Sequence, residues 1–554
     1  MLKQLSDQDA SYLYLETAET PQHVGGLNLV EIPAGYRGDF FEVYKAHIKS
    51  RMHLIKFMHS KLLELPFDFD RPFWVEDESI DLDYHVRHES LPKPGTMPML
   101  EELVGRLHSG LLDRSRPLWE FHVIDGLESG NIAIYTKIHH AAMDGASSQL
   151  LVTTMYDASP EPRTLPAASE SEREAPGLES IVQGVFAHLV RQEIRAVQFV
   201  PELMKAWTNI FLPNLETLRF DPFPKRLRTP HTLFNVDITN QRLYAARSLE
   251  LSALKRLSKA TGTTLNDVVL AVCSGALRRY LLGKEALPAR AMTAMVPVSV
   301  RGANERDIAN HNTLFVSSLA TDIADPYERL MAIHESSQDQ KKRLSSVQNL
   351  LLPDLALVGS GGVLRRMVEL YGRAKLAQRL PLLANLTVSN VPGPPIPLYL
   401  AGLRVLSLYP CSIPFHGTAL NITVQSYVDR LDFGLIACRR AVPDLSKIAD
   451  GLAEAWEELQ RSVHAHLAAH VPEVRAPKPE ERGRAAKPAR ARKRKGKVAA
   501  RSPRVSDIVE LRASNDADAA PAPTQPKARK RRGAAQAEGE EEIAAARPAS
   551  GRET

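Results

Sequence analysis

Cysteine is scarce: Cys273, Cys411 and Cys438 are the only three in 554 residues, and no two of them share a CxxC spacing. An odd, scattered set of thiols speaks against a disulfide framework and a structural zinc site, so a reducing cytosol is the expected compartment. Long apolar runs are also missing. No window reaches the ~18 uninterrupted apolar residues of a membrane span. The opening, Met1 to Ser11, places Lys3, Asp7 and Asp9 where a signal peptide needs an apolar core. Neither a Walker loop nor a G-x-G-x-x-G is present, which removes the usual nucleotide motifs. The nearest approach to a G-x-S-x-G elbow, Val358 to Gly362, lacks the first glycine, which disfavours a serine lipase.

What is present is ample apolar material, 44% of residues, enough for more than one core. The net charge of +5 is unevenly spread. Residues 476–554 hold 20 Lys/Arg against 11 Asp/Glu, a net of +9, whereas residues 1–475 hold 50 against 54, a net of −4. The tail contains no Phe, Trp or Tyr and only six of Ile, Leu, Val or Met, too little apolar surface to offset chain entropy. A disordered, basic, Ala/Pro-rich tail is expected there. Its runs at 490–497 and 527–532 form an electrostatic patch for an anionic surface, or else a solubilising tail.

The body divides at a Pro-, Ser- and acid-rich stretch from Asp157 to Gly177, which reads as a long exposed connection. Apolar residues from Leu178 to Val197 then recur at helical spacing, predicting an amphipathic crossover helix whose stripe faces a core. Phe220 to Pro224 ends this crossover. The expected organisation is a first lobe over 1–156, a linker and crossover over 157–224, a second lobe over 225–475, and the tail over 476–554. Both lobes mix strands with helices: residues 131–138 read as a strand, 420–427 and 431–436 as a hairpin, 265–282 and 453–467 as helices. The fold class is therefore α+β in two lobes.

The most informative segment is Ile138-His139-His140-Ala141-Ala142-Met143-Asp144-Gly145. A strand ending in His-His and turning at Asp-Gly can hold one imidazole rigidly at its terminus, with Gly145 admitting a positive φ or close packing. An imidazole with a pKa of ~6.5 can take and return a proton near neutral pH. On these residues alone, a pair of core histidines beside an ordinary turn is the commoner case. No metal site is expected, because adjacent strand residues point to opposite faces and only one histidine can face a given site.

The HHxxxDG string at 139–145 resembles the signature of the CoA-dependent acyltransferase superfamily. Further segments resemble, in order, its bacterial wax ester synthase/diacylglycerol acyltransferase branch: Leu5 to Ala10, Pro21 to Gly25, Leu112 to Glu120, Asn266 to Ala271, Ser389 to Pro394 and Asp432 to Gly434. The resemblance spans about residues 5 to 470 and excludes the tail. It departs at Asn310-His-Asn312, where the family more often has Gly-Asn.

The resemblance implies two chloramphenicol-acetyltransferase-like lobes with the histidine in a tunnel between them. The implied enzyme esterifies diacylglycerol or a long-chain fatty alcohol with a fatty acyl group from acyl-CoA, which is a substrate; no cofactor is implied. His140 becomes the general base, with His139 supporting it. Asp144 orients the loop through Arg301, as in related condensation domains. Asn266 is a candidate to donate to an oxyanion or order the site, whereas Asp267, three residues after Thr264, fits a helix cap better. Pro117 and Trp119 are expected to pack structure or line the acyl route, and Asn390 to Pro394, with Gly393, to form a rigid turn first and a tunnel wall second.

Two rival readings use the same chain. His139 with Asp144 also fits H-x-x-x-x-D, the pattern of glycerophosphate-type acyltransferases. The tail alone would suit a non-enzymatic lipid-granule or nucleic-acid-binding protein, although the body's net of −4 argues against extensive phosphate contacts. Partners in the favoured reading are acyl-CoA, the lipid acceptor and an anionic membrane or lipid-droplet surface, with nucleic acid reachable through the tail only. The expected location is cytoplasmic and peripheral to lipid.

Overall fold

Strand and helix propensities sort cleanly along the chain. A computed structural model describes residues 3–64, 71–143, 145–165, 229–299, 312–347, 361–375 and 383–469. The first part carries β1 (Lys3–Gln4), α1 (Asp7–Leu15), β2 (His23–Val30), α2 (Phe40–Arg51), β3 (Ser60–Leu63) and β4 (Phe73–Glu76). It continues with α3 (Leu82–His85), β5 (Val86–Ser90), α4 (Met97–Ser109), β6 (Trp119–Asp125), β7 (Ile132–His139) and α5 (Gly145–Met155). Then follow β8 (Arg242–Glu250), α6 (Leu251–Thr261), α7 (Leu265–Leu282), β9 (Thr293–Ser299), β10 (Asn312–Ser318), α8 (Pro326–Val347) and α9 (Gly361–Arg373). The last elements are β11 (Leu386–Val391), β12 (Tyr399–Leu400), β13 (Leu403–Cys411), β14 (Leu420–Tyr427), β15 (Arg430–Cys438) and α10 (Leu445–Ala469). The α+β class, the strand before the histidines and helix 265–282 stand where the sequence puts them; the hairpin's second strand runs over Arg430–Cys438 rather than 431–436, and the final helix starts at Leu445, eight residues before the expected 453. The predicted crossover helix at 178–197 and the tail lie outside the described residues.

Two six-stranded sheets organise the body, in the orders β12-β13-β2-β7-β6-β5 and β10-β9-β11-β14-β15-β8. In the second, α7 is buried along nearly its whole length. An apolar surface on all sides suits a helix enclosed by other elements, here α8 and α10 among them. Thr264 and Asp267 start it with a reciprocal capping box, worth about 1 kcal/mol.

The first sheet is completed from far along the chain. β13 pairs antiparallel with β2, from Val405 opposite Val30 to Cys411 opposite Gly25. Its outer side is fastened to β15: buried Asp432 accepts the Leu408 N–H at 2.8 Å and the Ser248 hydroxyl at 2.5 Å. A Cβ on Gly434 would lie 1.7 Å from the Pro410 carbonyl oxygen, so only glycine lets the two strands approach this closely. The Asp432-Phe-Gly434 segment is thus a seam between the two sheets. A second fastening joins α4 to β8, where Glu101 accepts the Ala246 N–H at 2.9 Å and pairs with Arg247 at 2.6 Å.

The exposed connection after the first lobe begins later than composition implies. Asp157 is fully buried: Arg51 grips its carboxylate at 2.7 Å, Arg163 adds a bond at 2.7 Å, and its backbone bridges to Tyr399. Two guanidiniums convert an apparent linker acid into an anchor, and exposure starts at Ala158.

Candidate active site

β7 delivers the histidine pair. Alternation along its length sends Ile134, Thr136 and Ile138 to one face of the sheet and Tyr135, Lys137 and His139 to the other. The strand end is fixed from both sides: the His139 N–H donates to the Leu118 carbonyl at 3.0 Å, and the His140 N–H to the Gln22 carbonyl at 2.8 Å. A single 3-10 turn, His140–Ala142, follows, and α5 starts at Gly145.

The two imidazoles have different surroundings. His139 is fully buried, and its Nδ1 accepts the Ala141 N–H at 3.1 Å, which leaves Nε2 as the protonated nitrogen. Nε2 donates to Glu16 Oε2 at 3.2 Å. Glu16, just past the end of α1, also accepts the Gln22 N–H at 3.0 Å and, through Oε1, Arg114 Nε at 3.2 Å and Nη2 at 3.0 Å. Burial on its own would raise the Glu16 carboxyl, but the His139 bond, the Arg114 charge and the Gln22 N–H outweigh it and hold it at about 2. Arg114 is itself tied to the Leu13 carbonyl at 2.8 Å and to Glu64 at 3.1 Å.

Among the described residues, His140 has no such charged partner. Its ring stacks on Tyr12 of α1 with centroids 3.9 Å apart and planes 14° from parallel. Nδ1 is buried without a hydrogen-bond partner. Burial pushes this imidazole down to about 4, so it is neutral, with a lone pair available, throughout the physiological range.

Pro117-Leu118-Trp119 builds the platform beneath this strand end. Trp119 is fully buried, donates Nε1–H to the Met58 carbonyl at 2.9 Å, and stacks on His85, whose Nδ1 bonds the Trp119 carbonyl at 2.7 Å. Gly393 sits where a Cβ would lie 1.9 Å from the Ser426 carbonyl, which accounts for the glycine by close backbone approach. Asn390 lies in β11 opposite Val424. Asp267 caps α7 and accepts a hydrogen bond from His334 Nδ1 at 2.6 Å. Among the described residues, no hydrogen bond or ion pair links Asn266 or Asp267 to either site histidine. Asp144 and Arg301 lie outside the described residues, as do the side-chain surroundings of Gly145.

Sequence reasoning missed Glu16, Arg114 and Tyr12. Arg114 carried a signal, since it lies inside the quoted 112–120 segment. Glu16 and Tyr12 fall between the two quoted opening segments, where nothing local marks them.

The site thus presents a rigidly held, neutral histidine at the end of a buried strand in a two-sheet α+β body. The chain matches the wax ester synthase/diacylglycerol acyltransferase catalytic domain over residues 5–269 and that family's C-terminal domain over 308–460. It is 36% identical over 469 residues to a probable diacylglycerol O-acyltransferase of Mycobacterium tuberculosis, covering 82% of this chain and 98% of the relative. It is 34% identical over 461 residues to the O-acyltransferase WSD of Acinetobacter baylyi, covering 82% and 96%. Among solved structures, the wax ester synthase/diacylglycerol acyltransferase of Marinobacter aquaeolei VT8 superposes with a TM-score of 0.61 at 31% identity, over 83% of this chain and all of that one. The chain belongs to the wax ester synthase/diacylglycerol acyltransferase family, and its chemistry is acyl transfer.

Proposed function

We propose that the protein moves a fatty acyl group from acyl-CoA to the hydroxyl of diacylglycerol or a long-chain alcohol, with His140 as general base. Its Nε2 takes the hydroxyl proton as the oxygen attacks the thioester carbonyl; the C–O bond forms, the C–S bond breaks, and the imidazolium returns the proton to the departing thiolate. The observation that carries this reading is the contrast between the two rings. His139 has both nitrogens engaged, by Ala141 and Glu16, whereas His140 Nδ1 is buried without a hydrogen-bond partner and the ring is neutral. The same contrast disfavours the H-x-x-x-x-D reading, which needs His139 as the base. Purified protein given palmitoyl-CoA with either diacylglycerol or hexadecanol should release free thiol and form ester in equal amounts; thiol release without ester would reject the transfer reading.

The pH profile offers a sharper check. A base whose pKa lies at about 4 in the free enzyme stays unprotonated as pH falls from 8 to 5. The acid limb of kcat/KM should therefore have its midpoint near pH 4, with circular dichroism showing the protein still folded. A midpoint near 6.5 on folded enzyme would contradict the proposed environment of His140.

We also assign the enzyme's lipid contact to the basic tail. No helix among the described residues is long and apolar enough to cross a membrane. Its proposed acceptors are lipids, and anionic headgroups attract basic residues by ~1 kcal/mol each near the surface. Truncation after residue 475 should leave turnover of a soluble substrate pair unchanged and weaken binding to phosphatidylserine vesicles, most visibly at low salt. Equal vesicle binding by both forms at every salt concentration would remove the tail from this role.

A further inference from the structure

No Lys, Arg, Asp or Glu occurs between Arg379 and Arg404. A stretch so apolar belongs in a core, and parts of it go there: Leu386, Val388, Leu398 and Leu400 are buried. The loop between β11 and β12 does the opposite. Val391 is 41% exposed and Ile396 50%, with Pro392, Pro395 and Pro397 exposed beside them. β11 and β14 run parallel with Val391 opposite Gln425, so this loop leaves the sheet at the edge where β14 turns into β15. At that turn the Val428 N–H donates to the Pro394 carbonyl at 3.1 Å, and the Val428 side chain is 39% exposed. Val391, Ile396 and Val428 make one apolar face.

Val428 has a φ of 52° at the first central position of a two-residue hairpin turn, where glycine is usual and a β-branched residue is strained. Strain and exposure together do not serve the fold; a contact outside the chain accounts for them. The backbone indicates which kind. Four of the seven residues 391–397 are proline and have no N–H, the Gly393 N–H is taken by Ser426 Oγ at 3.0 Å, and the Val428 N–H by Pro394. A partner protein that adds a strand uses free backbone donors, whereas lipid penalises every donor left unpaired. The face also adjoins the reacting end of the first lobe: Leu398 and Gln425 share the wall of one cavity with Ile138 and Met143, which bracket the site histidines.

We infer that the 391–397 loop and the Val428 turn form an insertion face by which the body docks on a lipid surface. The inference goes beyond the tail assignment above and rests on the reading that the acceptor is a lipid. The two contacts differ in kind. The tail acts through charge on anionic headgroups and fades with salt, whereas apolar insertion needs no anionic lipid and survives salt. The tail brings the protein to the surface; insertion at this face turns the reacting end of the first lobe toward it.

Full-length protein should bind phosphatidylcholine vesicles containing diacylglycerol in about 1 M sodium chloride, where the screening length is about 3 Å and the tail's attraction is lost. Ile396→Ser should weaken that binding roughly tenfold and Val428→Gly roughly threefold, in line with the apolar area each side chain exposes. Val428→Gly should also leave the thermal midpoint unchanged or higher, since glycine relieves the turn. Leu282→Ser, at the end of α7 and as exposed as Ile396, is the control and should bind as wild type does. Turnover of octanoyl-CoA with a short soluble alcohol should be the same in every variant, while turnover of vesicle-held diacylglycerol falls with binding. Wild-type protein that does not bind these vesicles at high salt, or Ile396→Ser and Val428→Gly proteins that bind them as well as wild type, overturn the inference. Loss of self-association in Ile396→Ser with vesicle binding unchanged also overturns it, and assigns the face to a second copy of the chain. Vesicle binding as expected in a protein that turns over no donor–acceptor pair defeats the acyl-transfer reading alone.

Discussion

His140→Ala should abolish nearly all acyl transfer while leaving the fold unchanged. Ring Nδ1 has no hydrogen-bond partner among the described residues; the backbone N–H bond to Gln22 survives the substitution, and the stack on Tyr12 is lost. Removing a general base typically costs 10²–10⁴-fold, so kcat should fall by about that factor with little change in thermal midpoint. The control is His139→Ala. If it is the inactive variant while His140→Ala turns over normally, the assignment is reversed and the H-x-x-x-x-D reading is favoured.

Glu16→Ala should damage both stability and turnover, because one carboxylate holds three parts of the fold together. It joins the end of α1 to β7 through His139 and to the 112–120 segment through Arg114. Taking it away leaves the fully buried His139 Nε2–H without its acceptor and Arg114 without its main partner. Breaking a buried pair from one side costs about 3–5 kcal/mol; Arg114 retains some solvent and its bond to Glu64, so about 2–3 kcal/mol is expected. The same change frees the strand end that presents His140, and kcat should drop roughly 10–100-fold while KM moves little, as misplacement of a base predicts. Glu16→Gln, whose amide oxygen still accepts a hydrogen bond, should recover most of the stability and part of the rate. Wild-type kcat in a folded Glu16→Ala enzyme would mean that the His139 contact has no bearing on catalysis.

These two residues mark the limit of what the sequence makes legible. The histidines could be found because strand end, imidazole and turn are contiguous at 138–145, and because a short string with a mechanism identifies its own context. Helix 265–282 was legible for a similar reason: Thr264 and Asp267 are three residues apart, and their capping box is a local event. The hairpin at 420–438 needed only a tight turn, the two residues Val428 and Asp429 between Tyr427 and Arg430. Glu16 is 123 residues from His139 and 98 from Arg114, and no periodicity or composition connects positions so far apart. Asp157 failed for a related reason: its neighbours read as linker, and only Arg51, 106 residues earlier, makes it a buried anchor. Asp432 and Gly434 could be noticed as a motif, but their work at the sheet seam depends on Leu408 and Pro410 in a strand whose pairing with β2 runs from Gly25 to Val30.

That pairing of β13 with β2 has a consequence for how the chain is made. Ribosomes add ~5–20 residues per second, so residues 403–411 emerge roughly 20–80 s after residues 23–30. Until then β2 can pair with β7 on one side only, and its other edge presents unpaired N–H and carbonyl groups to any neighbouring strand. Nascent chains on the same messenger are close to one another during this interval, which makes β2 the place where a holdase chaperone would be most useful. A fragment ending before residue 403 would carry that open edge permanently.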